Sequence, residues 1–193
     1  MELFFENIKN EIEKAVKKDV RKIFNEVGEE RIYASALVTD SDCVSLYLAV
    51  NTYENMKKRD EEYIKLLQED LSEEYIKKVK EGSCSITKWN PAEWGYSDGR
   101  NSNLVEVSKL LYSEEETNSE EYEKHIDLFF EAVTSAFKKL IDLKIFGKNL
   151  EDVTFFISIS DDERAYEIEN FSAQLLNSEN VYKEFLERTE VYQ

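Results

Sequence analysis

The sequence predicts an α+β domain, a mostly antiparallel sheet of about four or more strands covered by amphipathic helices. Three observations predict it. Long stretches repeat apolar residues at three- and four-residue steps, short β-branched and aromatic runs stand between them, and one pair of such runs flanks a polar turn. At 193 residues, 41% of them hydrophobic and 12% aromatic, the chain suits a single domain over 1–193 even though 35% of its residues are charged.

From Phe5 to Val27 the residues Ile8, Ile12, Val16, Val20, Ile23 and Val27 keep helical spacing with Lys and Glu between them, and Gly28 stops the run. Arg31 to Val38 and Val44 to Val50 flank Thr39-Asp40-Ser41-Asp42 and read as a hairpin at the centre of the sheet. Asn51-Thr52 ends the second strand, where an Asn side chain satisfies freed backbone groups or points into a cleft. Asp40 and Asp42 lack the glycine and distal Glu of a calcium loop. Over about 53–81 the chain turns charged and helical, with Ile64, Leu67, Leu71, Ile76 and Val79 as a narrow apolar stripe, so a helical segment is inserted there. Ser83 to Lys88 reads as a short strand.

Trp89-Asn90-Pro91-Ala92-Glu93-Trp94 then has the form of a capped turn. Asn90 is placed as N-cap, Pro91 sits where its missing N–H costs nothing, and Glu93 has the spacing that returns to the Asn90 N–H. Trp89 and Trp94 hold the two places of a hydrophobic staple. Tyr96 to Ser102 reads as polar loop, and Asn103 with Glu106 repeats the cap spacing ahead of a short helix. Within the acidic run Ser113 to Glu123, Thr117 and Glu120 repeat it again. The next helix has the cleanest stripe of the chain: Ile126, Phe129, Val133, Phe137, Leu140 and Ile141. Val153 to Ser160 follows as an inner strand, and Ser160-Asp161-Asp162-Glu163 has capping-box spacing. The last helical region places Ala165, Ile168, Phe171, Leu175 and Leu176 on its apolar side and breaks near Asn177-Ser178.

The formal charge of −17, from 25 Lys and Arg against 42 Asp and Glu, argues against nonspecific binding to nucleic acid or an anionic membrane and favours a basic partner. Cys43 and Cys84 stand apart with no zinc-ligand spacing, and packed, reduced thiols are expected. Neither a secretory leader nor a membrane span is read, which points to the cytoplasm. The five glycines punctuate element ends and build no phosphate loop; His125, the one histidine, reads as a surface residue at the edge of its helical stripe. No catalytic residue, metal ligand set or cofactor is assigned. The binding candidates are Trp89, Glu93 and Trp94 of the tryptophan turn, Asn51 at the strand end and Asp161 after the last strand.

The N-terminal helix, the hairpin from Tyr33-Ala34-Ser35-Ala36 to Leu48-Ala49-Val50-Asn51-Thr52, the turn Lys88 to Trp94 and the strand Phe155 to Ser160 followed by Asp161 together resemble a bacterial family catalogued as domain of unknown function 4303. The resemblance implies no established reaction. The association of that family with polymorphic-toxin immunity genes implies an immunity role, and an acidic protein that neutralises a basic nuclease-type toxin gains fast association from electrostatic steering. The alternative is a small hydrolase or ligand-binding domain with its pocket near the tryptophan turn.

Overall fold

The computed structural model describes residues 1–67, 69–97, 102–113, 119–147 and 150–188. Its elements are α1 (Glu2–Val27), β1 (Ile32–Thr39), β2 (Tyr47–Thr52), α2 (Tyr53–Leu66), α3 (Glu73–Lys80), a 3₁₀ turn (Pro91–Glu93), β3 (Tyr96–Ser97), α4 (Leu104–Ser113), α5 (Ser119–Asp142), β4 (Thr154–Ile159), α6 (Ala165–Leu176) and α7 (Glu179–Leu186). The expected α+β class is observed. The four strands lie in the order β3-β2-β1-β4, with the hairpin at the centre. β1 pairs antiparallel with β2, and β2 with β3, whereas β1 and β4 run parallel, so the sheet is mixed. A parallel neighbour requires a long crossover, and here the chain from β2 to β4, helices included, supplies it.

Alternation along the strands sorts their side chains onto two faces. Leu37, Leu48, Val50, Phe155, Ile157 and Ile159 belong to the larger core, with the apolar stripes of α1, α4 and α5. Gly28 takes φ 61 to end α1, and its N–H returns to the Phe24 carbonyl. The join between α1 and α4 is polar: the fully buried Asp19 accepts from Ser102 Oγ at 2.6 Å and from the Asn103 side chain and N–H. Ser102 Oγ, not Asn103, takes the Leu104 N–H, while Glu106 pairs with Lys109, so the cap expected from Asn103 and Glu106 is not made.

Ala34, Ala36, Val38, Ala49 and Phe156 occupy the second face with Trp94, Ala173 and Phe185. A register shift between Ile32 and Ala34 breaks the alternation, and Tyr33 joins that side. Small strand residues here leave room for large rings. Along the outer edge of β4, α6 stands in for a fifth strand: Asn177 accepts from the Phe155 N–H at 2.8 Å and donates to its carbonyl at 2.6 Å, and Ser172 Oγ accepts from the Ile157 N–H.

Several sequence expectations change. Ser83 to Lys88 forms no strand. It is an irregular stretch held by Asp60, whose Oδ1 accepts from the Ile86 and Thr87 N–H groups and from Thr87 Oγ1. β3 forms within the expected polar loop instead, the rest of which lies outside the described residues up to Ser102. His125 is buried against the Phe5 ring, with centroids 4.9 Å apart, and is not a surface residue. On α6, Phe171 and Leu175 face solvent, while Ser172, Ala173 and Leu176 are buried. The Thr117–Glu120 cap falls outside the residues whose side chains are described. Cys43 and Cys84 are both free thiols.

Candidate functional site

The site grows from the second face of the sheet. Tyr33 donates its hydroxyl proton to the Lys88 carbonyl at 2.7 Å, the Trp94 indole N–H donates to the same carbonyl at 3.1 Å, and Asn51 Nδ2 donates to Tyr33 Oη at 3.0 Å. Asn55 Nδ2 in turn donates to Asn51 Oδ1. One carbonyl thus ties the tryptophan turn to β1 and, through Asn51, to β2. Each polar group in this buried chain has a partner, as burial requires. The rings close around it: Trp94 meets Phe156 edge-on at 5.7 Å, Trp89 meets Phe185 at 5.1 Å, and both indoles contact Tyr33. The expected staple is therefore replaced by a shared aromatic cluster.

The motif builds only one turn, as expected from the glycines that follow it closely. Asn90 Oδ1 accepts from the Ala92 N–H, and a single 3₁₀ turn ends at Trp94. Glu93 does not cap it. Its carboxylate accepts from Arg59 Nη2 at 2.6 Å and from the Tyr63 hydroxyl, and these two bonds, Tyr63 first, hold it below the usual carboxylate range. Asp161 does not cap α6 either: Asp162 accepts from the Arg164 N–H and pairs with its guanidinium, which brings the Asp162 carboxyl down to about 2.

Two clefts open beside the cluster, and Trp89 and Arg188 line both. The first, about 990 Å³, lies between α2, α3 and α7; Tyr53, Met56, Ile64 and Val79 form its apolar lining, with Lys88 and Glu184 among its charged groups. Lys88 Nζ stands 4.8 Å from the Trp89 ring, and burial lowers its pKa. The second, about 780 Å³, lies at the C-terminal ends of the parallel pair β1 and β4, where Val38, Ser158, Ser160 and Asp161 meet Tyr47, Trp89 and Tyr166. Loops leaving parallel strand ends commonly make such a crevice. Glu169 in its lining accepts from Ser158 Oγ at 2.8 Å and from Arg188 Nη2 at 3.2 Å, and desolvation raises its pKa against these partners.

Of the five candidates, the structure brings Trp89 and Asp161 together in the second cleft. Asn51 and Trp94 lie behind them in the buried wall, and Glu93 is turned to α2. Sequence reasoning missed Glu169 and Arg188. Glu169 could have been found, because it shares the helical register of Ser172, Ala173 and Leu176, where a charge needs a buried partner. Arg188 carries the same signal, since it falls three residues past Phe185 and seven past Val181, on the buried register of α7. Among the described residues no group of three or more His, Cys, Asp or Glu is placed to hold a metal ion, and no helix is long and apolar enough to cross a membrane.

The model of the family described as Domain of unknown function (DUF4303) matches residues 12–178. The chain belongs to that family. The match runs from α1 to the Asn177 that closes the edge of β4, so the sheet, the tryptophan turn and most of the second cleft are parts of the DUF4303 domain, while Arg188 lies beyond the matched span. Neither a curated protein nor a solved structure matches the chain.

Proposed function

We propose that this protein is an acidic binding protein acting in the cytoplasm, an immunity protein that neutralises a basic, nuclease-type toxin. The observation that carries the reading is where the carboxylates are spent. Buried Asp19, Asp60 and Glu13 serve the chain's own N–H, hydroxyl and ammonium groups. The surplus stands outside. Residues 161–188 hold eight acidic side chains against three basic ones, and Asp161, Glu163, Glu167 and Glu187 are exposed and form no salt bridge with a described residue. Exposed Tyr166, Phe171 and Leu175 lie among them on α6. Apolar area beside unpaired negative charge suits a basic protein surface, with steering from the charge and contact area from the rings.

Retention of proteins from the native cell lysate on immobilised protein tests this. A basic protein should be held at low salt, released as the Debye length shrinks, and lost when Glu163 and Glu167 are both changed to Lys. Failure to retain any basic protein at low salt overturns the reading. The alternative, a hydrolase or ligand-binding domain, is favoured by the two clefts meeting at Trp89. Its hydrolytic form needs carboxylates converging free in a cleft, and Glu169 is already engaged by Ser158 and Arg188.

A further inference from the structure

The second cleft combines ring faces with carboxylates. Tyr47, Trp89 and Tyr166 line it together with Asp161 and Glu169. The faces of aromatic rings attract cations, and a carboxylate at close range fixes their position. The chain furnishes its own example. Arg188 Cζ lies 3.7 Å from the Phe185 ring centroid and 4.9 Å from that of Tyr166, with Nη2 on Glu169. That pair cancels its own charge, so the cleft is left negative by one carboxylate, Asp161.

Asp161 is also held where few side chains settle. Its φ of 56 lies in the left-handed region, which Asp and Asn tolerate better than most side chains. Among the described residues its carboxylate caps no helix and forms no salt bridge, and Asp161 lines the cleft. A carboxylate left without a partner among the described residues, beside ring faces, suits a cationic ligand. An anion is disfavoured there, because the one cation in the lining is already committed to Glu169.

We propose that the second cleft receives the guanidinium of an arginine side chain, held against the aromatic wall of Trp89, Tyr47 and Tyr166 and paired with Asp161. The inference rests on the basic-partner reading and names the anchor by which that partner is gripped. Guanidinium suits the wall better than ammonium, since it is planar, weakly hydrated and stacks on rings. About 780 Å³ accommodates the side chain and the backbone that carries it.

The test uses nuclear magnetic resonance on the full chain with Nα-acetyl-arginine amide and its neutral isostere Nα-acetyl-citrulline amide. The two tryptophans give two indole N–H signals, which Trp89→Phe assigns. Arginine amide should shift the Trp89 signal with a saturable Kd of about 1 mM, as expected for one anchoring side chain. Asp161→Asn, which tolerates the same backbone conformation, should weaken this about tenfold without unfolding the protein. An equal response to citrulline amide, or an unchanged Kd in Asp161→Asn, overturns the proposal. The two readings fail separately. Saturable arginine binding with no retained basic protein removes the partner and leaves a site for a free guanidinium compound; a retained partner that Asp161→Asn does not weaken removes the anchor and leaves the partner.

Discussion

On one face of the sheet Leu37, Leu48, Val50, Phe155 and Ile157 are packed by the apolar sides of long helices, whereas on the other Ala34, Ala36 and Ala49 leave space filled by indoles and a chain of hydrogen bonds. The first face draws its stability from area removed from water, a term without direction. The second depends on direction. A single carbonyl, that of Lys88, positions Tyr33 and Trp94, and the clefts open just beyond them. The larger core and the candidate site thus lie on opposite sides of one sheet.

That division can be broken most severely on the apolar side. Phe137→Ala empties a fully buried site between Phe146 and Phe155 and should cost about 3–5 kcal/mol in urea unfolding while leaving the Trp89 indole signal in place. Asp60→Ala comes next. It removes the acceptor shared by the Ile86 N–H, the Thr87 N–H and Thr87 Oγ1, leaving the Thr87 N–H its longer bond to Ser85 Oγ, and a loss of about 1–3 kcal/mol is expected, with faster amide exchange at Ile86 and Thr87. Tyr33→Phe sharpens the contrast by removing one oxygen. It leaves Asn51 Nδ2 and part of the Lys88 carbonyl unpaired for about 1–2 kcal/mol, and here both indole signals should move.

Glu93→Gln should cost less than about 1 kcal/mol, because its pair with Arg59 is partly exposed; a larger loss would mean that the α2 contact, not the aromatic cluster, holds the turn. The smallest effect is one of pH. The Asp162 carboxyl is held at about 2 against an ordinary 3.8, so its contribution is complete above pH 3.8 and is lost as pH falls toward 2. Asp162→Asn should therefore be slightly less stable than the parent above pH 3.8, with the two unfolding free energies converging near pH 2.

The helices were legible because their signal is periodic and local: α1 and α5 lie where the spacing of Ile12, Val16, Val20 and of Phe129, Val133, Phe137 places them. The parallel union of β1 with β4 was not, since nothing in either strand names a partner more than a hundred residues away. Glu93 shows the same limit at one residue. Its spacing satisfies a cap, but Arg59 and Tyr63 arrive from another helix and win the carboxylate. Trp89 and Asp161 were recognisable by type, and their meeting in one cleft required the fold. On α6 Ala165, Ile168 and Leu176 pack as their spacing predicts, while Phe171 and Leu175 face water and Ser172 and Ala173 take the buried positions.

The side chains of Asn177 and Ser172 on the rim of β4 have a consequence for association between molecules. A sheet border with free amides is a template for any invading strand, including that of a second copy. Here Phe155 and Ile157 have their amide protons already occupied, so fibrillar growth by strand addition is blocked on that flank. A replacement that empties Asn177 would do more than loosen a helix: it would open a docking strip along β4.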